Sequence, residues 1–198
     1  MDIRTLVLGP LQTNTYLLKQ GHDVILIDPA SKPEKLIGIL EEDDLRAILL
    51  THGHFDHIKA VDGLYEHFHC PVYLHPDDEK LARDKSSGSS FGLVSYISCP
   101  TVPLKEGPMR IGPFEFETVF TPGHTRGSVV YVFGDVIFSG DTLFRGSVGR
   151  TDLEGGDASQ LRASLRWFSS LDRDYRILPG HDGPSTLSEE LIYNPYLN

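Results

Sequence analysis

The stretch THGHFDH, residues 51–57, constrains the fold of this chain more than any other feature of its sequence. It directly follows the apolar run 47–50, which has the composition of a buried strand. Three histidines and one aspartate lie within it, and imidazole nitrogens and carboxylate oxygens are the usual protein ligands of Zn²⁺ and similar divalent cations. A polar turn that faces water is the alternative interpretation. Four ligand-type side chains so close together argue against it, so the stretch predicts a metal site at the end of a buried strand.

The spacing within this stretch bears on how many metals it can serve. His52 and His54 are two residues apart, so their side chains point the same way if the segment is extended. Asp56 and His57 are adjacent, and they diverge from that face if the chain turns into a helix there. One segment can therefore supply two metals, or one metal from two sides.

Three later segments each place a ligand-type residue in a tight, glycine-containing turn after an apolar run. The segments are TPGHT at 121–125, SGDT at 139–142 and LPGHDG at 178–183, which carry His124, Asp141 and His181. Loops at strand ends on a rigid scaffold are where binding sites are commonly built. Taken together with THGHFDH, these segments predict that several strands end at one composite metal centre.

The pattern of apolar residues predicts the order of the elements. Runs of β-formers predict strands at 3–8, 15–18, 24–27, 46–50, 72–74, 114–120, 128–133, 136–139 and 176–178. Helical spacing predicts helices at 33–40, 57–68, 76–83, 157–171 and 186–193. Two sheets packed face to face with helices outside bury all these strands, so we predict an α/β fold with one domain over residues 1–198. The Ser- and Gly-rich segment 85–100 is expected to be a long loop, either a lid over the site or a surface excursion.

Composition narrows the classes of partner and compartment. The net charge of −10 disfavours a nucleic-acid partner, since such proteins normally carry a basic stripe. No apolar run approaches the ~20 residues of a membrane span, and the N-terminus has an early acid and no basic stretch before an apolar one, unlike a signal peptide. Cys70 and Cys99 are expected to be core thiols rather than a disulfide, which together with these features predicts a cytoplasmic protein. The sequence does not predict an oligomeric state.

The ligand-type residues resemble, in order and over most of the chain, the five motifs of the metallo-β-lactamase superfamily. The residues that carry this resemblance are Asp28, His52, His54, Asp56, His57, His124, Asp141 and His181. The stretch SGDTLFRGSVGRTDLEGGD at 139–157 and the ending NPYL at 194–197 resemble the glyoxalase II-like hydrolases, in particular the short bacterial branch that lacks a C-terminal helical domain. The resemblance implies a four-layer αββα sandwich with the metals at one end of the two sheets.

The resemblance also implies a role for each residue. One metal is expected to take His52, His54 and His124, and the other Asp56, His57 and His181, with Asp141 and a water or hydroxide bridging the two. Asp28, Thr51 and Thr142 are expected to orient these ligands. The implied cofactor is a pair of divalent ions, with zinc expected first and iron or manganese also compatible with the same ligands.

The reaction that the resemblance implies is hydrolysis of a thioester of the S-2-hydroxyacylglutathione type, such as S-lactoylglutathione. Asp56 and Asp141 are expected to be catalytic, the metal-bridging hydroxide attacking the carbonyl carbon while thiolate leaves. Phe144, Arg145 and Arg150 are expected to contact the substrate. In the family an aromatic contact to glutathione stands where this chain has Asp152, so glutathione binding itself stays open.

Two other functions share part of this pattern. GRTD at 149–152 also occurs in persulfide dioxygenases, in which one iron would sit on His52, His124 and Asp141, but the complete second ligand set argues against that function. A non-catalytic metal-binding protein is a third interpretation, and seven ligands on strand ends with a bridging carboxylate argue against it. The 139–157 stretch disfavours a lactamase, and the negative charge disfavours a nuclease.

Overall fold

The first sheet contains the strands of the N-terminal half of the chain. The computed structural model describes residues 1–197. The strands β1 (Asp2–Leu8), β2 (Thr13–Gln20), β3 (Asp23–Ile27), β4 (Asp44–Leu49), β5 (Val72–Leu74) and β6 (Val102–Pro103) lie side by side in that order. The pairs β1–β2 and β2–β3 are antiparallel, and β3 to β6 run parallel. The parallel strands therefore end at the same edge of the sheet.

The second sheet has the order β14-β13-β10-β9-β8-β7. Its strands are β7 (Gly107–Ile111), β8 (Phe114–Phe120), β9 (Val129–Phe133), β10 (Val136–Gly140), β13 (Arg176–Pro179) and β14 (Ser185–Thr186). Between them β11 (Leu143–Phe144) and β12 (Ser147–Val148) form a small separate hairpin. The strands β10 and β13 pair in parallel, and the other pairs are antiparallel.

Strand β3 shows how the layers form. Its side chains alternate, so that Val24 and Leu26 face one side of the sheet while Ile25 and Ile27 face the other. The first pair packs in a core with the helices α1 (Pro33–Leu40) and α3 (Val61–Phe68), and the second pair lies in the core between the two sheets. Because both faces are buried, the strand is apolar at every position from 24 to 27.

The second sheet repeats this arrangement on its own outer face. Ile137 of β10 packs with Leu161 and Phe168 of α5 (Ala158–Ser169), in a core that includes Leu187 of α6 (Leu187–Tyr193). The next residue, Phe138, points inward and meets Tyr16 of β2 with ring centroids 5.0 Å apart. The layers therefore follow the order helix, sheet, sheet, helix, and the predicted αββα sandwich is confirmed.

Some elements differ from the prediction. The helix expected over 57–68 is two helices, α2 (Phe55–Ile58) and α3, because the backbone N–H of Ala60 donates to Pro29 across the sheet edge instead of continuing α2. The helix expected over 76–83 is a 3₁₀ turn, Pro76–Asp78, followed by α4 (Glu79–Ala82). Strands β6, β11, β12 and β14 were not predicted because two residues show no alternation. Strand β7 contains Pro108 and lies at the sheet edge, where a residue without an N–H is tolerated.

The segment 85–100 has one 3₁₀ turn, Ser89–Phe91, and is otherwise irregular. The Asp62 carboxylate accepts from the backbone of Ser98 and Cys99, which anchors the end of the segment. Phe91 stacks on Phe55, with ring centroids 5.7 Å apart. Cys70 and Cys99 are buried free thiols, as expected. Within residues 1–197 no helix is long and apolar enough to cross a membrane.

Candidate metal centre

The ends of four strands bring the predicted ligands together. His52 and His54 follow β4, and α2, which begins at Phe55, presents Asp56 and His57. The other predicted ligands are His124 after β8, Asp141 directly after β10 and His181 after β13. The strands approach so closely that a Cβ on Gly180 would overlap Asp141 Oδ1 and lie 2.7 Å from Cε1 of His57. Only glycine fits at this position without moving the ligands.

His52, His54 and His124 form one group, which we call the three-histidine group. Their ligand atoms all lie within 4.8 Å of one another. Nδ1 of His54 and Nε2 of His124 are 2.8 Å apart, and Nε2 of His52 is buried with no hydrogen-bond partner within residues 1–197. A buried polar atom without a partner is costly unless something else contacts it. Three converging imidazole nitrogens are a donor set that suits Zn²⁺ or Fe²⁺.

Asp56, His57 and His181 form the second group, which we call the Asp56 group. Nε2 of His181 lies 3.2 Å from Oδ2 of Asp56 and 3.4 Å from Nε2 of His57. The ligand atoms of this group also lie within 4.8 Å of one another. Two imidazoles and a carboxylate are a further common donor set for divalent cations.

Asp141 lies between the two groups. Its Oδ1 is 3.4 Å from Nε2 of His57, and its Oδ2 is 3.5 Å from Nε2 of His124 and 3.6 Å from Nε2 of His181. Oδ1 is buried and has no hydrogen-bond partner among the described residues. One carboxylate that faces the ligand atoms of both groups fits a pair of divalent ions with a shared bridge.

The second ring nitrogen of four histidines has a partner that orients the ring. Nδ1 of His57 lies 2.9 Å from Oδ2 of Asp28, and Nδ1 of His52 lies 3.1 Å from Oγ1 of Thr51. Because the Thr51 hydroxyl donates to Asp28, its oxygen accepts from Nδ1–H of His52, which leaves Nε2 of that ring free of a proton. Asp28 and Thr51, which the sequence predicts to orient ligands, thus each contact a ligand ring.

Backbone carbonyls orient the remaining two rings. Nδ1 of His124 donates to the carbonyl of Arg150 over 2.7 Å, and Nδ1 of His181 donates to that of Leu11 over 3.1 Å. The hydroxyl of Thr142, which the sequence predicts to orient a ligand, pairs with that of Thr121 at 2.9 Å, and no hydrogen bond joins it to a ligand among the described residues. That contact ties β8 to β10 instead.

Burial and neighbouring charges set the protonation of the ligands. Burial, with a contribution from His57, holds the pKa of His52 well below its usual range, and burial lowers the pKa of His54 to about 3. Both rings are therefore neutral at pH 7, as metal ligands must be. Burial opposes a charge on His57, but the carboxylates of Asp141, Asp56 and Asp28 outweigh it and raise its pKa to about 10. This end of the centre thus concentrates negative charge that a cation would neutralise.

Two buried polar residues that the sequence did not indicate hold the ligand loops. Asp78, 1 % exposed, accepts from the backbone N–H of Gly53, the backbone N–H of Gly127 and the hydroxyl of Thr125. Asn14 donates to the carbonyls of Pro179 and Asp182 on either side of His181. An acid at the start of a helical turn suggests a cap, and an Asn between two threonines in a strand carries no signal at all.

The histidines outside the two groups take other roles. His75 packs on Phe120, with ring centroids 4.3 Å apart, and its Nδ1 accepts from the backbone of Asp77. It caps the turn that carries Asp78 and belongs to neither ligand group.

A cleft of about 450 Å³ opens onto both ligand groups and Asp141. Its walls are apolar side chains from several segments: Leu11, Phe55, Phe91, Phe144, Val148 and Leu153. Arg150 also lines the cleft, and its guanidinium pairs with both carboxylate oxygens of Asp152 at 2.6 and 2.7 Å. Phe144 and Arg150, which the sequence predicts as substrate contacts, both line the cleft. Arg145 is exposed and does not line it, because it lies at the outer tip of the β11–β12 hairpin.

Comparison with known proteins adds independent findings. The profile of the family described as "Metallo-beta-lactamase superfamily" matches residues 8–181. A probable metallo-hydrolase of Bacillus subtilis, YqgX, is 38% identical, covering 100% of this chain and 98% of that protein. The hydroxyacylglutathione hydrolase GloC of Haemophilus influenzae is 32% identical, covering 100% of this chain and 99% of that protein.

Solved structures resemble the whole chain. The B3 metallo-beta-lactamase BLEG-1 is 39% identical with a TM-score of 0.92, covering 100% of both chains. TTHA1623 in a di-iron-bound form is 43% identical with a TM-score of 0.91, covering 98% of this chain and 100% of that one. ETHE1 from Myxococcus xanthus is 31% identical with a TM-score of 0.82, covering 98% of this chain and 84% of that one.

Proposed function

This chain belongs to the metallo-beta-lactamase superfamily, and on that premise we propose that it is a dinuclear metal-dependent hydrolase of acyl thioesters. The observation that carries the proposal is the position of Asp141, which faces both ligand groups at the floor of the cleft. A storage protein needs ligands but no open cleft with a carboxylate shared between two sites. The metal pair is expected to be zinc, with iron or manganese compatible with the same donors.

When bound, two divalent ions lower the pKa of water and polarise a carbonyl oxygen. The side chains of this chain supply the rest. Asp141, whose Oδ1 has no hydrogen-bond partner among the described residues, would hold the two ions beside the water whose oxygen bonds to the thioester carbon, and the proton released from that water goes to solvent in the cleft. The Asp56 carboxylate, held by the hydroxyl of Thr13 at 3.1 Å, keeps the opposite side of the centre negative.

Departure of the leaving group does not require a proton donor from the protein. When the C–S bond breaks, the electron pair leaves with sulfur as a thiolate, which is a good leaving group. Of the acids that line the described cleft, Asp182 alone belongs neither to the Asp56 group nor to the bridge. A thiolate leaves without being protonated, so thioester hydrolysis needs no strong acid in the cleft. Hydrolysis of an unactivated amide fits these residues less well, because the leaving nitrogen must be protonated.

The substrate we propose is a small thioester of the S-2-hydroxyacylglutathione type. GloC, which covers the whole chain at 32% identity, carries that activity in its name. The apolar walls of the cleft suit an acyl chain and the methylene groups beside sulfur, and Arg150 is the cation within reach of a carboxylate. The cytoplasmic location and the absence of nucleic-acid and membrane partners stay predictions from the sequence.

The test follows the ultraviolet absorbance of S-D-lactoylglutathione with zinc-, iron- and manganese-loaded protein. We expect metal-dependent loss of the thioester, abolished in Asp141→Ala together with most of the bound metal, since both groups lose a shared charged ligand. Asp84→Ala, which removes a carboxylate that does not line the cleft, is the matched control and should behave as the wild type. Full metal retention with normal turnover in Asp141→Ala would contradict the two-metal scheme.

A second candidate function is oxidation of a persulfide by an iron form of the protein. The likeness to ETHE1, together with GRTD at 149–152, is the observation that favours it. Oxygen uptake with glutathione persulfide on iron-loaded protein tests this candidate. The likeness to BLEG-1 calls for a chromogenic cephalosporin in the same assay series. Oxygen uptake or cephalosporin cleavage without loss of any thioester would replace the proposed function.

A further inference from the structure

Asp78 joins the two loops that carry the three-histidine group. Its Oδ2 accepts from the backbone N–H of Gly53, which lies between His52 and His54, at 2.8 Å and from the hydroxyl of Thr125 at 2.7 Å. Its Oδ1 accepts from the backbone N–H of Gly127 at 2.7 Å. Thr125 directly follows His124, so one buried carboxylate fixes the loop after β4 against the loop after β8.

Asn14 does the same for the Asp56 group. Its side-chain amide donates to the carbonyls of Pro179 and Asp182, each at 2.9 Å, and its backbone N–H donates to the carbonyl of Gly180 at 2.7 Å. These three carbonyls bracket His181. The preceding residue, Thr13, donates to the ligand oxygen of Asp56 at 3.1 Å. The start of β2 therefore holds two of the three ligands of this group.

We propose that Asp78 and Asn14 are two independent positioning residues, Asp78 for the three-histidine group and Asn14 for the Asp56 group. Both are almost fully buried, at 1 % and 3 % exposed. Among the described residues they share no hydrogen-bond partner: the contacts of Asp78 lie beside His52, His54 and His124, and the side-chain contacts of Asn14 lie on either side of His181. The inference rests on the metal-binding part of the proposed function and not on the identity of the substrate.

Substitutions of nearly equal size test whether Asp78 and Asn14 act through their hydrogen bonds, because the volume of the side chain barely changes. In Asp78→Asn the amide keeps one acceptor, but its NH₂ must face either the N–H of Gly127 or the donors of Gly53 and Thr125, so at least one backbone N–H loses its acceptor in either orientation. In Asn14→Leu the carbonyls of Pro179 and Asp182 lose their donor without a change in charge. Each exchange should move one pair of ligand loops apart while the other loops keep their contacts.

The experiment measures metal affinity one group at a time, with Zn²⁺ and Co²⁺ in competition with a chromogenic chelator. His181→Ala leaves the three-histidine group complete, and His54→Ala leaves the Asp56 group complete. In the His181→Ala background we expect Asp78→Asn to weaken binding 10- to 100-fold, the usual effect of losing a group that orients a ligand. In the His54→Ala background it should weaken binding less than threefold. Asn14→Leu should show the opposite pattern.

The visible spectrum of bound Co²⁺ supplies a second readout, because the positions of its bands depend on ligand geometry. We expect Asp78→Asn to shift the bands in the His181→Ala background only. Equal weakening of both groups by one variant would overturn the proposal, since loss of charge or of stability acts on both. No change in either group would overturn it as well. Neither result depends on thioester hydrolysis, so failure of the proposed function is distinguishable.

One further variant serves as a control, and two milder variants replace any that do not fold. Asp62→Asn alters another carboxylate that accepts backbone N–H groups, in this case those of Ser98 and Cys99, and it should leave both metal affinities unchanged. If Asp78→Asn does not fold, Thr125→Val removes only one of the three contacts. If Asn14→Leu does not fold, Tyr16→Phe removes the hydroxyl that donates to Pro179 at 2.6 Å. The same selectivity, in smaller degree, is expected of these milder variants.

Discussion

Replacing Gly180 by alanine tests whether the close approach of the strand ends sets the geometry of the centre. Gly180 has no positive φ, so the backbone accepts alanine and the added methyl group is the whole perturbation. Its Cβ would overlap Oδ1 of Asp141 and lie 2.7 Å from Cε1 of His57. Ordinary van der Waals contact begins at 3.4 Å, so His57 must move by about 0.7 Å and Asp141 by more.

The structure sets the expected size of the effect. Displacement of a reacting group by about 1 Å costs on the order of 100-fold in rate, which corresponds to about 2.7 kcal/mol. We therefore expect kcat/KM of Gly180→Ala to fall about 100-fold and the metal content to fall by about one ion per chain. The loss should appear mainly in kcat, because the cleft walls that bind the substrate are unchanged.

Gly183 provides the matched control for this variant. It lies three residues further along the same loop, also without a positive φ, and a Cβ there meets nothing within 4 Å. The assays are thioester hydrolysis, metal analysis and thermal unfolding of both variants. Gly183→Ala should match the wild type in all three. Activity of Gly180→Ala within twofold of the wild type would refute the argument that this contact holds Asp141 and His57 in place.

Three further predictions concern other parts of the molecule. Arg150→Ala should raise KM for glutathione thioesters about tenfold with little change in kcat, whereas Arg145→Ala, outside the cleft, should leave KM unchanged in steady-state kinetics. Asp28→Asn should lower the metal affinity of the Asp56 group 10- to 100-fold, measured by chelator competition, because it removes the acceptor of Nδ1 of His57. Burial raises the pKa of Cys70 to about 11 and that of Cys99 to about 12, so at pH 8 a disulfide reagent should react with them only on unfolding. Rapid reaction of the native protein would contradict the last prediction.

The ligands that can be predicted from the sequence are those whose immediate neighbours along the chain already suggest a site. His52 and His54 follow a fully apolar strand, and Asp141 and His181 lie in tight glycine turns, so spacing alone identifies them as ligand types. The order of the layers is equally local in origin, since strands that are apolar at every position must be covered on both faces. These predictions depend on residues within a few positions of each other along the chain.

Contacts between distant segments explain what the sequence did not predict. Asp78 contacts Gly53, 25 residues away, and Gly127, 49 residues away, and Asn14 contacts Pro179, 165 residues away. Which loops meet at each residue depends on how the two sheets pack, and no spacing along the chain encodes it. Arg145 and Arg150 show the same limit: both are exposed, but Arg145 lies at the tip of the β11–β12 hairpin, whereas Arg150 follows the hairpin and lines the cleft.

If separate residues position the two ligand groups, the metal affinities of the two groups can change independently. Asp141 lies between the two groups, while their proposed supports, Asp78 and Asn14, contact different loops. On that proposal, a change at either support alters one side of the centre more than the other. Two proteins with the same seven ligands can then differ in the relative affinity of the two sites. On the proposed function, hydrolysis uses two ions and persulfide oxidation uses one iron, so we expect exchanges at Asp78 or Asn14 to change the metal occupancy without changing a ligand.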